Sequence, residues 1–181
     1  MKKLLIVLGP TASGKTQYAV QIANQFDGEI ISADSRQIYK GMDIGTGKDL
    51  DEYNINNNSI PYHLIDIINP DTDYSVYEFQ KHFHAIYDDI IARNKVPILC
   101  GGTALYIDSI LFDYTIAPSA PNSLLREELE NYNYNDLKNK LLEINSSEYN
   151  PEYHVSKRRL IRSIEILSYN KQSINMNLQG D

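Results

Sequence analysis

Residues 9–16 carry the most specific chemical signal in the sequence. They read GPTASGKT and match the spacing G-x-x-x-x-G-K-[ST] at every fixed position. Glycines in such a loop let backbone amides turn toward phosphate oxygens, and the following helix N-terminus adds positive potential. The lysine can reach terminal phosphates and the last hydroxyl can ligate Mg²⁺. The predicted phosphate-binding residues are Gly9, Thr11, Ala12, Ser13, Gly14, Lys15 and Thr16, with Thr16 as the metal ligand.

Two other polar residues come directly after predicted strands. Asp34 follows the apolar segment of residues 29–32, and Thr103 follows residues 96–100 and the pair Gly101-Gly102. Because ligands bind at the carboxyl ends of parallel strands, we expect Asp34 to face the same crevice as the phosphate loop. From the residues alone other roles stay open, namely a cap or a water-mediated Mg²⁺ contact for Asp34 and a helix N-cap for Thr103. A glycine-rich turn without a ligand is the alternative for the loop itself.

The elements that must position these residues alternate along the first two thirds of the chain. Short apolar runs, typical of strands buried on both faces, occupy residues 4–8, 29–32, 62–68 and 96–100. Apolar residues at helical spacing predict helices over residues 14–26, 74–93 and 103–112. The alternation predicts an α/β fold with a mainly parallel sheet and helices on both faces.

The character of the sequence changes near residue 115. Residues 117–121 predict a linker, followed by two polar helices over residues 122–131 and 135–144. Asn150-Pro151 breaks this pattern, and residues 156–169 predict a basic helix. The predicted organisation is a core over residues 1–115, a short helical insertion over 116–155, and a basic helix over 156–181 that returns to the core.

The composition limits the classes of protein to which the chain can belong. Its 181 residues are enough for one domain with a small appendage. The formal net charge of −7 argues against holding nucleic acid by bulk charge, but leaves room for a local basic patch. One cysteine excludes an internal disulfide framework and predicts a cytoplasmic protein. Since no apolar run is long enough to span a membrane, we expect no membrane partner. A monomer is expected as well.

Several further motifs carry a resemblance to a known family. Residues 31–48 read ISADSRQIYKGMDIGTGK, residues 61–66 read PYHLID, and residues 97–103 read PILCGGT. Together with residues 9–16, these blocks resemble the tRNA dimethylallyltransferases, also called tRNA isopentenyltransferases. The likeness runs from the first residues to about Phe112 and resumes at residues 158–165. It implies a P-loop NTPase-like three-layer fold with a small helical appendage.

The resemblance implies an unusual use of the phosphate loop. Members of the family bind the diphosphate of dimethylallyl diphosphate there and transfer the prenyl group to N6 of the adenine beside the tRNA anticodon, which is flipped out to reach the site. Asp34 matches the base that accepts the proton of N6. Lys15, Thr16 and Mg²⁺ would neutralise the departing diphosphate. Thr103 matches a family threonine near the diphosphate and the acceptor base, so the implied catalytic residues are Asp34, Lys15 and Thr103.

The resemblance also implies contacts with the anticodon stem-loop of tRNA at two places. One is the turn after the second strand, for which a solvated turn with one surface salt bridge is the alternative. The other is the basic helix with its R-x-x-R pattern, for which a solvated helix face is the alternative. The implied tRNA-binding residues are Asp34, Ser35, Arg36, Gln37, Arg158, Arg159 and Arg162.

The sequence departs from the family near its end. Family members continue well beyond the R-x-x-R helix with an arginine-bearing helix and another core strand, so the C-terminal part of the family fold is expected to be missing here. Three functions stay open: a tRNA prenyltransferase or a fragment of one, an adenine-nucleotide prenyltransferase or small-molecule kinase, and a non-catalytic diphosphate- or nucleotide-binding remnant. The blocks at residues 34–37 and 101–103 favour the first.

Overall fold

The chain divides into two compact units, Met1–Ile116 and Ala117–Asp181. The computed structural model describes residues 3–55, 57–114, 116, 119 and 121–178, without the side chains of 171–178. Three residues of the predicted linker, Ala117, Pro118 and Ala120, lie outside the described residues.

The first unit is built on a four-stranded parallel sheet. Its strands are β1 (Leu5–Leu8), β2 (Gly28–Ala33), β5 (Tyr62–His63) and β6 (Val96–Gly101), in the order β1-β6-β2-β5. Two short strands, β3 (Asn54–Ile55) and β4 (Asn58–Ser59), form a separate antiparallel pair. Leu8 and Ala33 both lie opposite Gly101, so β1, β6 and β2 end together. We call the segments that leave these three ends, residues 9–16, 34–37 and 101–103, the carboxyl edge.

Helices cover both faces of the sheet, as the alternation of elements predicts. They are α1 (Lys15–Phe26), α2 (Val76–Ala92) and α3 (Ala104–Leu111). Ile30 and Ile98 pack with α1, whereas their neighbours Ile31 and Leu99 pack with α2 and α3. Successive strand residues therefore enter opposite apolar cores, which explains why β2 and β6 read as continuous apolar runs. The predicted three-layer α/β core is confirmed.

The strand predicted over residues 62–68 is wrong beyond His63. Leu64 and Asp66 have φ of 61° and 55°, left-handed conformations that cannot continue a strand. Leu64 and Ile65 are nevertheless buried, one in each core. Burial on alternating sides therefore produced a strand-like apolar run without a strand. Residues 66–68 pair instead with the segment 37–40, where the Asp66 amide donates to Gln37 O at 3.0 Å.

The second unit is helical. It contains α4 (Ser123–Glu130), α5 (Tyr134–Ile144) and α6 (Lys157–Leu178), and the last of these runs beyond the predicted residue 169. Its apolar core joins all three helices through Leu129, Leu137, Leu141, Leu160, Ile161 and Ile164. The basic helix thus packs on the two helices that precede it, and its return to the first unit stays a prediction.

None of the described helices could cross a membrane. The apolar helix α3 has only eight residues, and the 22 residues of α6 are mostly polar.

Candidate functional site

The phosphate loop connects β1 to α1 with two residues in left-handed conformations. Ala12 has φ of 60° and Gly14 has φ of 75°, and at residue 14 glycine avoids the steric cost of a Cβ. Gly14 is also the N-cap of α1, and no side chain caps this helix. The loop from Thr11 to Gly14 is exposed. Its backbone and the first turn of α1 therefore face solvent in the arrangement that binds anions.

Lys15 lies across this loop. Its Nζ donates a hydrogen bond to the backbone oxygen of Pro10 at 2.9 Å. The end of β6 approaches from the other side, since a Cβ built on Gly102 would lie 3.2 Å from Gly9 O and 3.8 Å from the Lys15 Nζ. The ammonium is therefore held between the loop and the β6 end, where it can meet the phosphates of a ligand.

The Mg²⁺ ion predicted at Thr16 would need few protein ligands. Thr16 is half-buried in the first turn of α1. The described residues contain no group of three or more His, Cys, Asp or Glu side chains able to hold a metal ion. Mg²⁺ commonly keeps several waters and binds substrate phosphates together with one or two protein oxygens. The residues present fit an ion held mainly by a ligand's phosphates, with the Thr16 hydroxyl as its protein contact.

Asp34 is the first residue after β2 and is half-buried. Its Oδ1 accepts a hydrogen bond from the Arg36 amide at 2.9 Å, which closes a tight turn and orients the carboxylate. The described residues supply no hydrogen bond to its other oxygen, Oδ2. Asp34 is thus held through one oxygen, while its second oxygen makes no hydrogen bond with a described residue.

Thr103 ties the end of β6 to the turn after β2. Its Oγ1 accepts a hydrogen bond from the Ser35 amide at 3.0 Å and lies 3.3 Å from the Ser35 hydroxyl. Its own amide donates to Ala33 O at 3.0 Å. The backbones are so close that a Cβ on Gly101 would collide with the Ala33 carbonyl group. Thr103 occupies the N-cap position of α3, but its hydroxyl makes no capping bond.

The other two predicted tRNA contacts in this turn differ in availability. Arg36 is exposed, and no described residue forms an ion pair with it. Gln37 is half-buried, and both ends of its amide are in use. Its Oε1 accepts from the Ser32 hydroxyl and its Nε2 donates to Gly47 O, each at 3.0 Å. Gln37 therefore supports the turn from within.

Arg162 on α6 is also committed to contacts inside its own unit. It donates to the Glu165 carboxylate at 2.6 Å and to Ser119 O at 2.9 Å. Arg126 of α4 binds the same carboxylate through two nitrogens, both at 2.9 Å. Burial of Glu165 opposes its charge, but the hydrogen bonds from Arg126, Arg162 and the Asn122 amide hold its pKa below the ordinary value. This ion cluster around the buried Glu165 carboxylate joins α4 to α6.

Arg158 and Arg159 are the exposed arginines at the start of α6. The Arg159 guanidinium lies 5.1 Å from the centre of the Tyr153 ring and donates to Tyr153 O at 2.9 Å. Arg158 forms no ion pair with a described residue. The predicted cluster is thus divided into two exposed cations and one structural arginine.

Lys48 is a residue of this region to which the sequence assigned no role. It stands at the end of the glycine-rich segment GMDIGTGK, and its ammonium is surrounded by three oxygen atoms, two from residues 39–43 and one from Asp66. A lysine at the end of such a glycine-rich segment was the signal available in the sequence. Its partners could not be read from the sequence because Asp66 lies 18 residues further along the chain.

Two family models match the sequence. The model described as IPP transferase matches residues 37–180, and the model described as isopentenyl transferase matches residues 2–59. Together they cover the carboxyl edge and both units.

Individual relatives agree with these models. The chain is 48% identical over 169 residues to tRNA dimethylallyltransferase 1 of Syntrophus aciditrophicus (strain SB), and 48% identical over 169 residues to that of Parabacteroides distasonis. Both alignments cover 93% of this chain and 55% of the relative. The chain therefore spans about half the length of the curated relatives it matches.

Solved structures give the same result at the level of the fold. The full-length tRNA isopentenylpyrophosphate transferase of Bacillus halodurans aligns with a TM-score of 0.60 and 36% identity, covering 93% of this chain and 56% of that one. A eukaryotic dimethylallyltransferase acting on tRNA aligns with a TM-score of 0.74 and 29% identity, covering 97% and 44%.

Proposed function

The chain belongs to the IPP transferase family, and from this premise we propose that it transfers a dimethylallyl group from dimethylallyl diphosphate to N6 of the adenine beside the anticodon of tRNA. The observation that carries the proposal is the meeting of three chain segments at the carboxyl edge. The Thr103–Ser35 hydrogen bond joins the ends of β6 and β2, and Gly102 approaches Lys15 of the phosphate loop. A diphosphate on the loop would therefore lie beside Asp34.

Binding of the diphosphate is supported by the uncapped start of α1 and by Lys15. The exposed backbone of residues 11–14 offers hydrogen-bond donors, and the ammonium adds a positive charge beside them. Mg²⁺ bound at Thr16 would neutralise part of the charge on the diphosphate. The same groups favour departure of the diphosphate, because they stabilise the negative charge that develops on it.

Transfer requires that the adenine N6 attack the first carbon of the prenyl group. The bond from this carbon to the diphosphate oxygen breaks as the carbon–nitrogen bond forms, and N6 gives up one proton. We assign Asp34 as the acceptor of that proton, since its Oδ2 receives no hydrogen bond from the described residues. Thr103 and Ser35 hold the turn at the adjoining strand end. Proton acceptance by a positioned side chain commonly contributes about 10²–10⁴ in rate.

Recognition of tRNA by an acidic chain calls for local cations. Arg36 in the carboxyl edge, and Arg158 and Arg159 at the start of α6, are exposed and can meet RNA phosphates. Gln37 and Arg162 support these contacts from inside their own units. The cytoplasmic location and the monomeric state stay predictions from the sequence.

The proposal is tested by offering acceptors in parallel. The protein is incubated with Mg²⁺ and dimethylallyl diphosphate labelled in the prenyl group, with either an anticodon stem-loop or AMP as acceptor. Label in the stem-loop is expected. Label in AMP alone would instead indicate an adenine-nucleotide prenyltransferase, and phosphate transfer from ATP in a third reaction would indicate a kinase.

A matched stem-loop sharpens this experiment. It carries purine, which lacks the exocyclic amine, in place of the target adenine, and is expected to receive no label. Equal labelling of the two stem-loops would contradict transfer to N6. If the diphosphate binds but no acceptor is labelled, the proposed function is wrong and the chain is a non-catalytic diphosphate- or nucleotide-binding remnant.

A further inference from the structure

We propose that Lys48 is a positioning residue for the turn that carries Asp34. Its ammonium joins the segment of residues 39–43 to Asp66, and through Gly47 and Gln37 it fixes the path of the chain after β2. This inference rests on the proposed function, since the turn matters for transfer only if Asp34 acts there.

The ammonium of Lys48 has all three of its donors satisfied, two by the segment of residues 39–43 and one by Asp66. It donates to Tyr39 O at 2.9 Å, to Asp43 Oδ1 at 3.0 Å and to Asp66 Oδ1 at 2.5 Å. An ammonium has three hydrogens, so this arrangement uses each of them once. Lys48 therefore connects the segment of residues 39–43 to Asp66 through three hydrogen bonds of defined geometry.

The burial of Lys48 makes this connection rigid. Its side chain is 1% exposed, and lysines are almost never buried so fully unless they are paired. Burial opposes the charge, but the carboxylates of Asp66 and Asp43 outweigh it and raise the pKa of Lys48 above its ordinary value. Lys48 is therefore charged throughout the neutral range, and its three acceptors cannot be exchanged for water without exposing it.

The connection reaches the Asp34 turn through the backbone next to Lys48. The oxygen of Gly47 accepts a hydrogen bond from the Gln37 Nε2 at 3.0 Å, and the Gln37 Oε1 accepts one from Ser32 on β2. Gln37 is three residues from Asp34 and closes the same turn. If the Lys48 ammonium is lost, the neighbouring Gly47 is no longer held in place. The hydrogen bond from Gln37 Nε2 to Gly47 O is then lost as well.

Asp66 links Lys48 to the segment that pairs with residues 37–40. It has a left-handed backbone conformation, with φ of 55°, while its amide donates to Gln37 O at 3.0 Å. Ile67 and Ile68 donate to Ile38 O, and Lys40 donates back to Ile68 O. Lys48 binds the Asp66 carboxylate and so holds the start of this pairing in place. The turn, the pairing and the glycine-rich segment then form one unit.

The test compares Lys48→Met with Lys40→Met. Lys40 is exposed, and its side chain makes no hydrogen bond or ion pair with a described residue, so it is a control from the same segment. Amide hydrogen exchange is followed over residues 34–40, 66–68 and α1. In parallel, kcat for transfer to the stem-loop and KM for dimethylallyl diphosphate are measured.

Lys48→Met is expected to speed exchange over residues 34–40 and 66–68 by at least about tenfold and to leave α1 unchanged. A turn misplaced by about 1 Å should lower kcat by roughly tenfold to a hundredfold without raising KM for the diphosphate. Gln37→Ala should act through the same path, so adding it to Lys48→Met should lower kcat little further. Lys40→Met is expected to change neither exchange nor kcat.

Asp43→Asn provides a second variant should Lys48→Met fail to fold. Asp43 is 67% exposed, so the change removes one partner of Lys48 without opening a cavity, and a smaller effect in the same direction is expected. Unchanged exchange over residues 34–40 would overturn the connection itself. Faster exchange with an unchanged kcat would overturn the positioning role. If the wild-type protein transfers no label, the proposed function fails, and the exchange measurement alone decides whether Lys48 holds the turn.

Discussion

The carboxyl edge of the first unit and the start of α6 in the second unit both concentrate charged residues, but their hydrogen bonds differ. At the carboxyl edge, Lys15 binds one backbone oxygen and Asp34 binds one backbone amide. At the start of α6, Arg162 binds both a buried carboxylate and a backbone oxygen. In the first region, the two side chains make one hydrogen bond each and have further donors or acceptors that no described residue occupies. In the second region, the arginine uses much of its hydrogen-bonding capacity to hold two helices together.

Residue type and spacing therefore do not decide whether a side chain's hydrogen-bond donors are already used within the protein. Arg158 and Arg162 lie four residues apart on one helix and look equivalent in the sequence. Glu165 makes them different, because a buried carboxylate requires cationic or hydrogen-bonding partners.

Asp34→Asn should lower the rate of transfer by about 10²–10⁴-fold, because an amide cannot accept the proton of N6. The affinity for dimethylallyl diphosphate should not change, since Lys15 and the phosphate loop are intact. Single-turnover transfer and equilibrium binding measure the two quantities separately. Asp136→Asn, at an exposed carboxylate on α5, is the control. Transfer by Asp34→Asn at the wild-type rate would contradict the assignment of Asp34 as base.

Arg162→Met should lower the free energy of unfolding by about 1–3 kcal/mol, because it removes hydrogen bonds from the buried Glu165 carboxylate and from Ser119 O. Arg158→Met should change it by less than about 0.5 kcal/mol. Urea unfolding followed by circular dichroism makes the measurement. Equal losses of stability in the two variants would remove the distinction between exposed and structural arginines.

The smallest expected effect is a pH dependence of stability that involves Glu165. Because its pKa is lowered in the folded protein, the unfolded chain binds more protons in the acid range. The contribution is therefore complete above the unfolded pKa and is lost as pH falls through the folded pKa. One such group changes the free energy of unfolding by at most about 1.4 kcal/mol per pH unit.

Urea unfolding between about pH 6 and pH 3 measures this loss. Glu165→Gln should make the decline with falling pH less steep, and Glu128→Gln, at an exposed carboxylate, should leave it unaltered. If the stability of Glu165→Gln declines with falling pH as steeply as that of the wild type, the ionised Glu165 carboxylate does not supply this pH-dependent stability.

Much of the fold could be predicted because it depends on local patterns. The apolar runs of β1, β2 and β6 are short and bounded, and α2 begins at Ser75 with a capping box completed by Glu78. Residues 64–68 could not be predicted, because Leu64 and Ile65 are buried in different cores while the backbone turns between them. Apolarity reports burial, and in this segment burial did not require a strand.

The candidate site likewise has features that could be predicted from the sequence and contacts that could not. The phosphate loop, Asp34 and Thr103 could be identified from the sequence, because each needs a particular residue type directly after a strand. The Thr103–Ser35 bond and the contacts of Lys48 with Tyr39, Asp43 and Asp66 connect residues up to 68 positions apart. Contacts over such separations depend on how the whole unit folds.

The amino-acid pattern alone was enough to identify the phosphate loop and the ends of β1, β2 and β6, since these follow from local backbone requirements, and the motif blocks were enough to indicate the family. Only the tertiary structure decided which polar groups are free for a ligand and which are used internally. The physical reason is that a buried charge must be paired within the protein, and the partner can come from any part of the chain. Lys48, with Asp43 and Asp66, and Arg162, with Glu165, are the charged residues whose partners the sequence did not reveal.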